Sequence, residues 1–208
     1  MAVKVSELPV GDLPIVGDEF VMVVQSGVSK KTPISSFPFS PTYNIGLVAG
    51  RYYSAPAFSM AAAAVAPNVL YVTFVIIPER DTITKLGFNI TVAAPGSARM
   101  GIYSVANSAI TTLKAQTGLI DTGTTGAKEG AVNVELDSGT YALVAVFSAA
   151  PAISRHGLGS HSIIGSLSPI GFQESASIPF TFGALPATSN TVPTFVANTT
   201  EPHLWFRL

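Results

Sequence analysis

Val69-Leu70-Tyr71-Val72-Thr73-Phe74-Val75-Ile76-Ile77 is the stretch that decides the fold. It closes a run of 23 residues, Ala55 to Ile77, without a charged side chain. A run of that length is enough to cross a bilayer as a helix. Pro56 and Pro67 interrupt it, however, and Asn68 follows the second proline. Beyond the break the residues are β-branched and aromatic, which suits a pleated, packed strand better than a helix. The run therefore reads as two buried segments joined at Pro67-Asn68, with no membrane insertion.

Outward from this stretch the pattern stays β. In Ile83-Thr84-Lys85-Leu86-Gly87-Phe88-Asn89-Ile90-Thr91, Leu86, Phe88 and Ile90 share one face. Val132-Asn133-Val134-Glu135-Leu136 again places an apolar residue at every second position. The expected strands are Gly50 to Ser54, Leu70 to Ile77, Thr82 to Thr91, Ala98 to Val105, Val132 to Leu136, Tyr141 to Phe147 and His203 to Leu208. Ala94-Pro95-Gly96-Ser97, Gly123-Thr124-Thr125-Gly126 and Asp137-Ser138-Gly139-Thr140 supply turns. Short strands at spacings of about 8–12 residues with Gly and Pro between them indicate an all-β sandwich or jelly roll. Ser59 to Val65 alone has helical propensity, and a strand there is equally open. Pro151 to Thr200, rich in Ser, Thr, Pro and Gly, reads as long loops with short strands at Ser162 to Ile164 and Pro179 to Phe182.

The first forty residues read as a separate unit. Asp18 to Val24 is a strand, Gln25-Ser26-Gly27 a turn, and Val28 to Thr32 a returning strand. Pro33-Ile34-Ser35-Ser36-Phe37 is then expected to form one helical turn with Thr32 as its N-cap. Phe37-Pro38-Phe39-Ser40-Pro41 is a stiff connector. Residues 1–40 and 41–208 are thus the expected domains.

Charge is the anomaly of composition. Only 11% of residues are Asp, Glu, Lys or Arg, against about 25% in ordinary soluble domains. After Arg155 the charged side chains are Glu174, Glu201 and Arg207. A neutral surface of Ala, Ser, Thr and Val tends to associate, so burial against copies or partners is expected. The net charge of −1, with Lys30-Lys31 as the sole basic pair, gives no electrostatic footprint for nucleic acid. The absence of cysteine excludes disulfides, thiolate catalysis and cysteine zinc sites. The N-terminal sequence has no apolar stretch of signal-peptide length.

No catalytic constellation is legible, so no enzyme, cofactor or metal is expected. Glu79-Arg80-Asp81 reads as a solvated corner, and Glu129 and Glu135 are not spaced as facing carboxylates. His156 and His161 bracket a glycine-rich stretch and are expected as an exposed loop pair, while His203 reads as structural. There is no Gly-x-Ser-x-Gly elbow and no phosphate-binding glycine loop. Asn89-Ile90-Thr91 and Asn198-Thr199-Thr200 match glycosylation sequons, a pattern frequent by chance. Aromatics remain. Alternation points one of Tyr52 and Tyr53 outward as a candidate ligand contact, and Trp205-Phe206 reads as core.

Two regions resemble bacteriophage virion proteins. Lys4-Val5-Ser6-Glu7-Leu8-Pro9, followed by Gly17 to Thr32 with its Val23-Val24-Gln25-Ser26-Gly27 centre, resembles the N-terminal attachment segment of tail-fibre, tailspike and head-fibre proteins. Leu70 to Pro78, Ile83 to Thr91, Ala98 to Tyr103, Asp121 to Glu129 and Gly139 to Val146 are similar to a β-sandwich domain of phage virion proteins. The resemblance implies a non-enzymatic structural subunit in the virion, assembled in the host cytoplasm. The implied role is a short fibre, with a capsid decoration or cement protein and a carbohydrate-binding receptor module as alternatives. It implies virion attachment through Phe20, Val21, Val23, Val24, Val28, Ile34 and Phe37. The implied partners are further copies of the chain, as a homotrimer, other virion proteins of the capsid, portal or tail, and a host cell-surface glycan. The chain lacks the long shaft or β-helix of a tailspike, and the resemblance carries no catalytic residue onto it.

Overall fold

The computed structural model describes residues 20–25, 28–33, 47–55, 60–156, 174–197 and 201–208. The chain divides into two compact units, Met1–Asn44 and Ile45–Leu208. In the first, β1 (Phe20–Gln25) and β2 (Val28–Pro33) form an antiparallel hairpin in which Gln25 faces Val28 and Phe20 faces Pro33. Thr32 and Pro33 are paired strand residues, opposite Val21 and Phe20. The rest of the expected helical turn, residues 34–37 with Ile34 and Phe37, lies outside the described residues.

The second unit is all-β and sandwich-like. Its strands are, in order, β3 (Tyr52–Ser54), β4 (Met60–Ala64), β5 (Val69–Ile77), β6 (Asp81–Val92), β7 (Ser97–Ala106) and β8 (Ala109–Gln116). Then come β9 (Ile120–Asp121), β10 (Gly126–Leu136), β11 (Gly139–Phe147), β12 (Ala152–His156), β13 (Glu174–Pro179) and β14 (Thr188–Thr191). The last are β15 (Thr194–Ala197), β16 (Glu201–Pro202) and β17 (Leu204–Arg207). The described pairings are antiparallel and give two sheets. A seven-stranded sheet runs β16-β12-β6-β17-β3, with β10 on β6 and β4 on β12; an eight-stranded sheet runs β14-β8-β7-β11-β5-β13-β15, with β9 on β7. Ser59 to Val65, ambiguous in sequence, resolves as the strand β4 from Met60 onward.

One core lies between the sheets. Tyr71, Val75 and Ile77 of β5 and Leu143, Ala145 and Phe147 of β11 meet Ile83, Leu86, Phe88 and Ile90 of β6. Phe147 packs edge-on to Phe88 of the opposite sheet at 5.1 Å and to Tyr71 at 6.3 Å. Fully burying an aromatic ring of this size contributes about 1.5–3 kcal/mol.

A second core lies on the other face of the eight-stranded sheet. Leu70, Val72 and Phe74 alternate with the first set along β5, and Ala142, Val144 and Val146 do so along β11. The segment from Phe180 to Pro186 crosses this face. Phe180 and Phe182 donate their backbone N–H groups to the carbonyl and side-chain oxygen of Asn68. Leu185 donates to the Gln116 side chain at 3.1 Å, and Pro186 accepts from the Tyr103 hydroxyl at 2.7 Å. Leu185 fits because β7 carries Gly101 beneath it, where a Cβ would stand 2.5 Å from the leucine Cδ1. Burial on both faces explains why β5 and β11 read as continuous apolar runs while β6, covered mainly on one face, alternates.

Turns follow local chemistry. Asn68 sits at φ 60°, a left-handed conformation that asparagine tolerates, at the Pro67-Asn68 break. Asn107 and Ser108, at φ 51° and 62°, form the two-residue connection of the β7–β8 hairpin.

Candidate functional site

The outer face of the seven-stranded sheet gathers the aromatic and titratable side chains that the sequence scatters. Register does this. Glu129 of β10, Gly87 of β6, Trp205 of β17 and Ser54 of β3 stand side by side across four strands. Lys85, Arg207 and Tyr52 form the parallel row. Alternation along β17 puts Leu204 and Phe206 on one face and Trp205 on the other, over Gly87 and beside His203.

Gly87 lets the indole lie flat on the sheet. A Cβ there would stand 2.5 Å from Trp205 Nε1 and 2.6 Å from both Cε2 and the Lys128 carbonyl oxygen. Trp205 is thus 7% exposed although it belongs to the outer face. Tyr52 stands edge-on to it at 6.3 Å and is 57% exposed. Tyr53 turns the other way, stacks on Phe206 at 5.5 Å, and accepts a hydrogen bond from the Val48 backbone N–H at 2.6 Å. Tyr52, Tyr53, Ser54, Ala127, His203 and Trp205 enclose an open groove of about 450 Å³, inside the size range of small-ligand sites, about 300–1,000 Å³.

The rim is polar and places two cations, Lys85 and Arg207, beside one carboxylate, Glu129. Lys85 Nζ donates to Glu129 Oε2 at 2.8 Å. That hydrogen bond, and a weaker one from the Tyr52 hydroxyl, hold the Glu129 carboxyl below its ordinary range. The Arg207 guanidinium lies 5.4 Å from the centre of the Tyr52 ring. His203 Nε2 and Ser54 Oγ are hydrogen-bonded at 3.2 Å, with the direction set by the imidazole tautomer.

A buried polar cluster adjoins the groove. His203 is 5.5 Å from the Trp205 ring and 4.8 Å from that of His156. His156 faces Glu201 across the β12–β16 pairing. Burial, and then the neighbouring His203, lower the His156 pKa to about 4; burial alone lowers that of His203. Burial pushes the Glu201 carboxyl up to about 8, against a smaller opposing hydrogen bond from the Thr73 hydroxyl. Both His156 nitrogens and Trp205 Nε1 are buried without a hydrogen-bond partner. Such atoms are rare in folded proteins and cost about 1–3 kcal/mol each.

His156 is therefore not an exposed loop residue. It is fully buried as the last residue of β12, paired with Met60 on one side and Glu201 on the other. The glycines that follow it in sequence gave the misleading loop signal, and His161 lies outside the described residues. Trp205 is buried as expected for core, yet it also floors the groove. The sequence signal for that second role was Gly87, a glycine inside an otherwise apolar strand, which marks close approach of another group. Among the described residues no group of three or more His, Cys, Asp or Glu is placed to hold a metal ion, and no helix is long and apolar enough to cross a membrane. Comparison with protein-family models, curated proteins and solved structures finds no match to this chain.

Proposed function

We propose that this chain is a non-enzymatic structural subunit of a virion, a short fibre whose N-terminal unit attaches it and whose sandwich projects outward. The observation that most supports this is β4. Met60–Ala64 is an edge strand, paired with β12 and otherwise open among the described residues, and it consists of one methionine and four alanines. Met60, Ala61, Ala62 and Ala64 are exposed. Monomeric proteins protect sheet edges with charges, prolines or bulges. An uncharged, flat edge on a charge-poor chain suits a surface that another copy covers. Ile76, Val92 and Leu119, each more than half exposed, extend the same character.

The attachment role belongs to residues 1–44, and Phe20, Val21, Val23, Val24 and Val28 of the hairpin are its proposed contacts. Particles assembled with a chain lacking residues 1–44 are expected to contain none of the subunit, as read by mass spectrometry of purified particles. Incorporation equal to that of the full chain would refute the attachment role.

A further inference from the structure

We propose that the groove on the outer face of the seven-stranded sheet binds a neutral pyranose saccharide, stacked on the exposed Tyr52 ring beside Trp205. The inference rests on the reading of the sandwich as the outward-facing part of the subunit. It names the chemistry that this face would recognise.

The floor and wall of the groove are aromatic. Trp205 lies flat, Tyr52 stands edge-on to it, and the His203 ring is 5.5 Å away. Aromatic side chains with a polar tip suit ligands that have an apolar face and a polar edge. A pyranose has this form, with C–H groups on its faces and hydroxyls around its rim.

The polar groups match hydroxyls in both directions. The Tyr52 hydroxyl donates and accepts, Ser54 Oγ accepts while donating to the Ala55 carbonyl, His203 does one or the other at each nitrogen, and the Glu129 carboxylate accepts. A polyproline segment also fits aromatic grooves, but proline has no backbone N–H and would offer these acceptors nothing. An anionic ligand would find the nearby Lys85 already bonded to Glu129 and Arg207 lying over the Tyr52 ring. The Glu129 carboxylate would itself repel an anion, which favours a neutral ligand. Among the described residues the groove is partly open, so it suits one residue of a longer glycan.

Trp205 is the only tryptophan of the chain, so its fluorescence reports on this groove alone. The full chain would be titrated with the methyl glycosides of glucose, galactose, mannose and N-acetylglucosamine, with glucuronic acid, and with a polyproline peptide. At least one neutral glycoside is expected to shift the emission saturably, with a Kd of about 0.1–10 mM. Tyr52→Ala should weaken that binding by about tenfold or more, the loss expected for one stacking ring. Tyr52→Phe, which keeps the ring, should retain most of it. Tyr52 is exposed, and circular dichroism of both variants would verify the fold. The proposal is overturned if no neutral glycoside shifts the emission, if Tyr52→Ala binds like the parent, or if only glucuronic acid or the peptide responds. Any of these results leaves the structural role standing, because incorporation into particles is read separately.

Discussion

Phe147→Ala is expected to destabilise the sandwich unit by about 3–5 kcal/mol, the cost of emptying a fully buried aromatic site. Phe147 is entirely buried, and its ring bridges the sheets by touching Phe88 on one side and Tyr71 on the other. Phe88, the ring it meets across the sandwich, stands on a strand hydrogen-bonded on both sides and has little freedom to collapse into the space. Urea unfolding should show the loss as a lower midpoint with an unchanged slope. A loss below about 1 kcal/mol would mean that the sheets do not share this core.

The second large effect depends on pH. Glu201 is protonated in the folded chain up to about pH 8, whereas the unfolded side chain ionises near 4.5. Below pH 4.5 the two states bind this proton alike. Above it the unfolded state gives up the proton first, so stability falls by about 1.4 kcal/mol per pH unit until the folded pKa is reached. His156 acts in the opposite sense. Its folded pKa near 4 lies under the ordinary 6.5, so it removes stability as pH falls from 6.5 to 4, and His203 adds to this with the same sign. Between 4.5 and 6.5 the carboxyl and imidazole slopes oppose each other. The unopposed fall therefore lies between 6.5 and 8. Glu201→Gln should flatten it and stand on the order of 4 kcal/mol above the parent at pH 8.5. Parallel melting profiles for the two proteins across this range would contradict the buried, protonated carboxyl.

The two sheets were legible where side-chain patterning is strong. β5 and β6 declare themselves through an apolar run and a clean alternation, and their expected ends fall within one residue of those observed. β8 was not foreseen. Its connection to β7 is Asn107-Ser108, which lacks the glycine that usually marks a two-residue hairpin, so the polar Thr111-Thr112 region did not register as a strand. β12 was hidden for a related reason. Ala152 to His156 is held by three neighbouring strands, β4, β6 and β16, and none of those contacts is local. The segment from Glu174 to Ala197 looked like loops because its apolar residues are spread thinly. Phe180, Phe182, Leu185 and Phe195 gain their meaning only when they cover the far face of the eight-stranded sheet.

The groove was half legible. Alternation correctly divided the tyrosines into one inward and one outward ring, and the structure makes Tyr52 the outward one. What the sequence does not carry is register. Pairing Trp205 with Gly87 and Ser54 is what lays the indole on the sheet and brings His203 beside it. The buried pair of His156 and Glu201 arises in the same way, from residues 45 positions apart that meet only after β16 docks on β12.

Sedimentation equilibrium of the purified full chain at micromolar concentration weighs most heavily on the structural role. Three copies of the 21.5 kDa chain in one particle is the predicted mass. A folded species of 21.5 kDa that stays dispersed as the concentration is raised would contradict it.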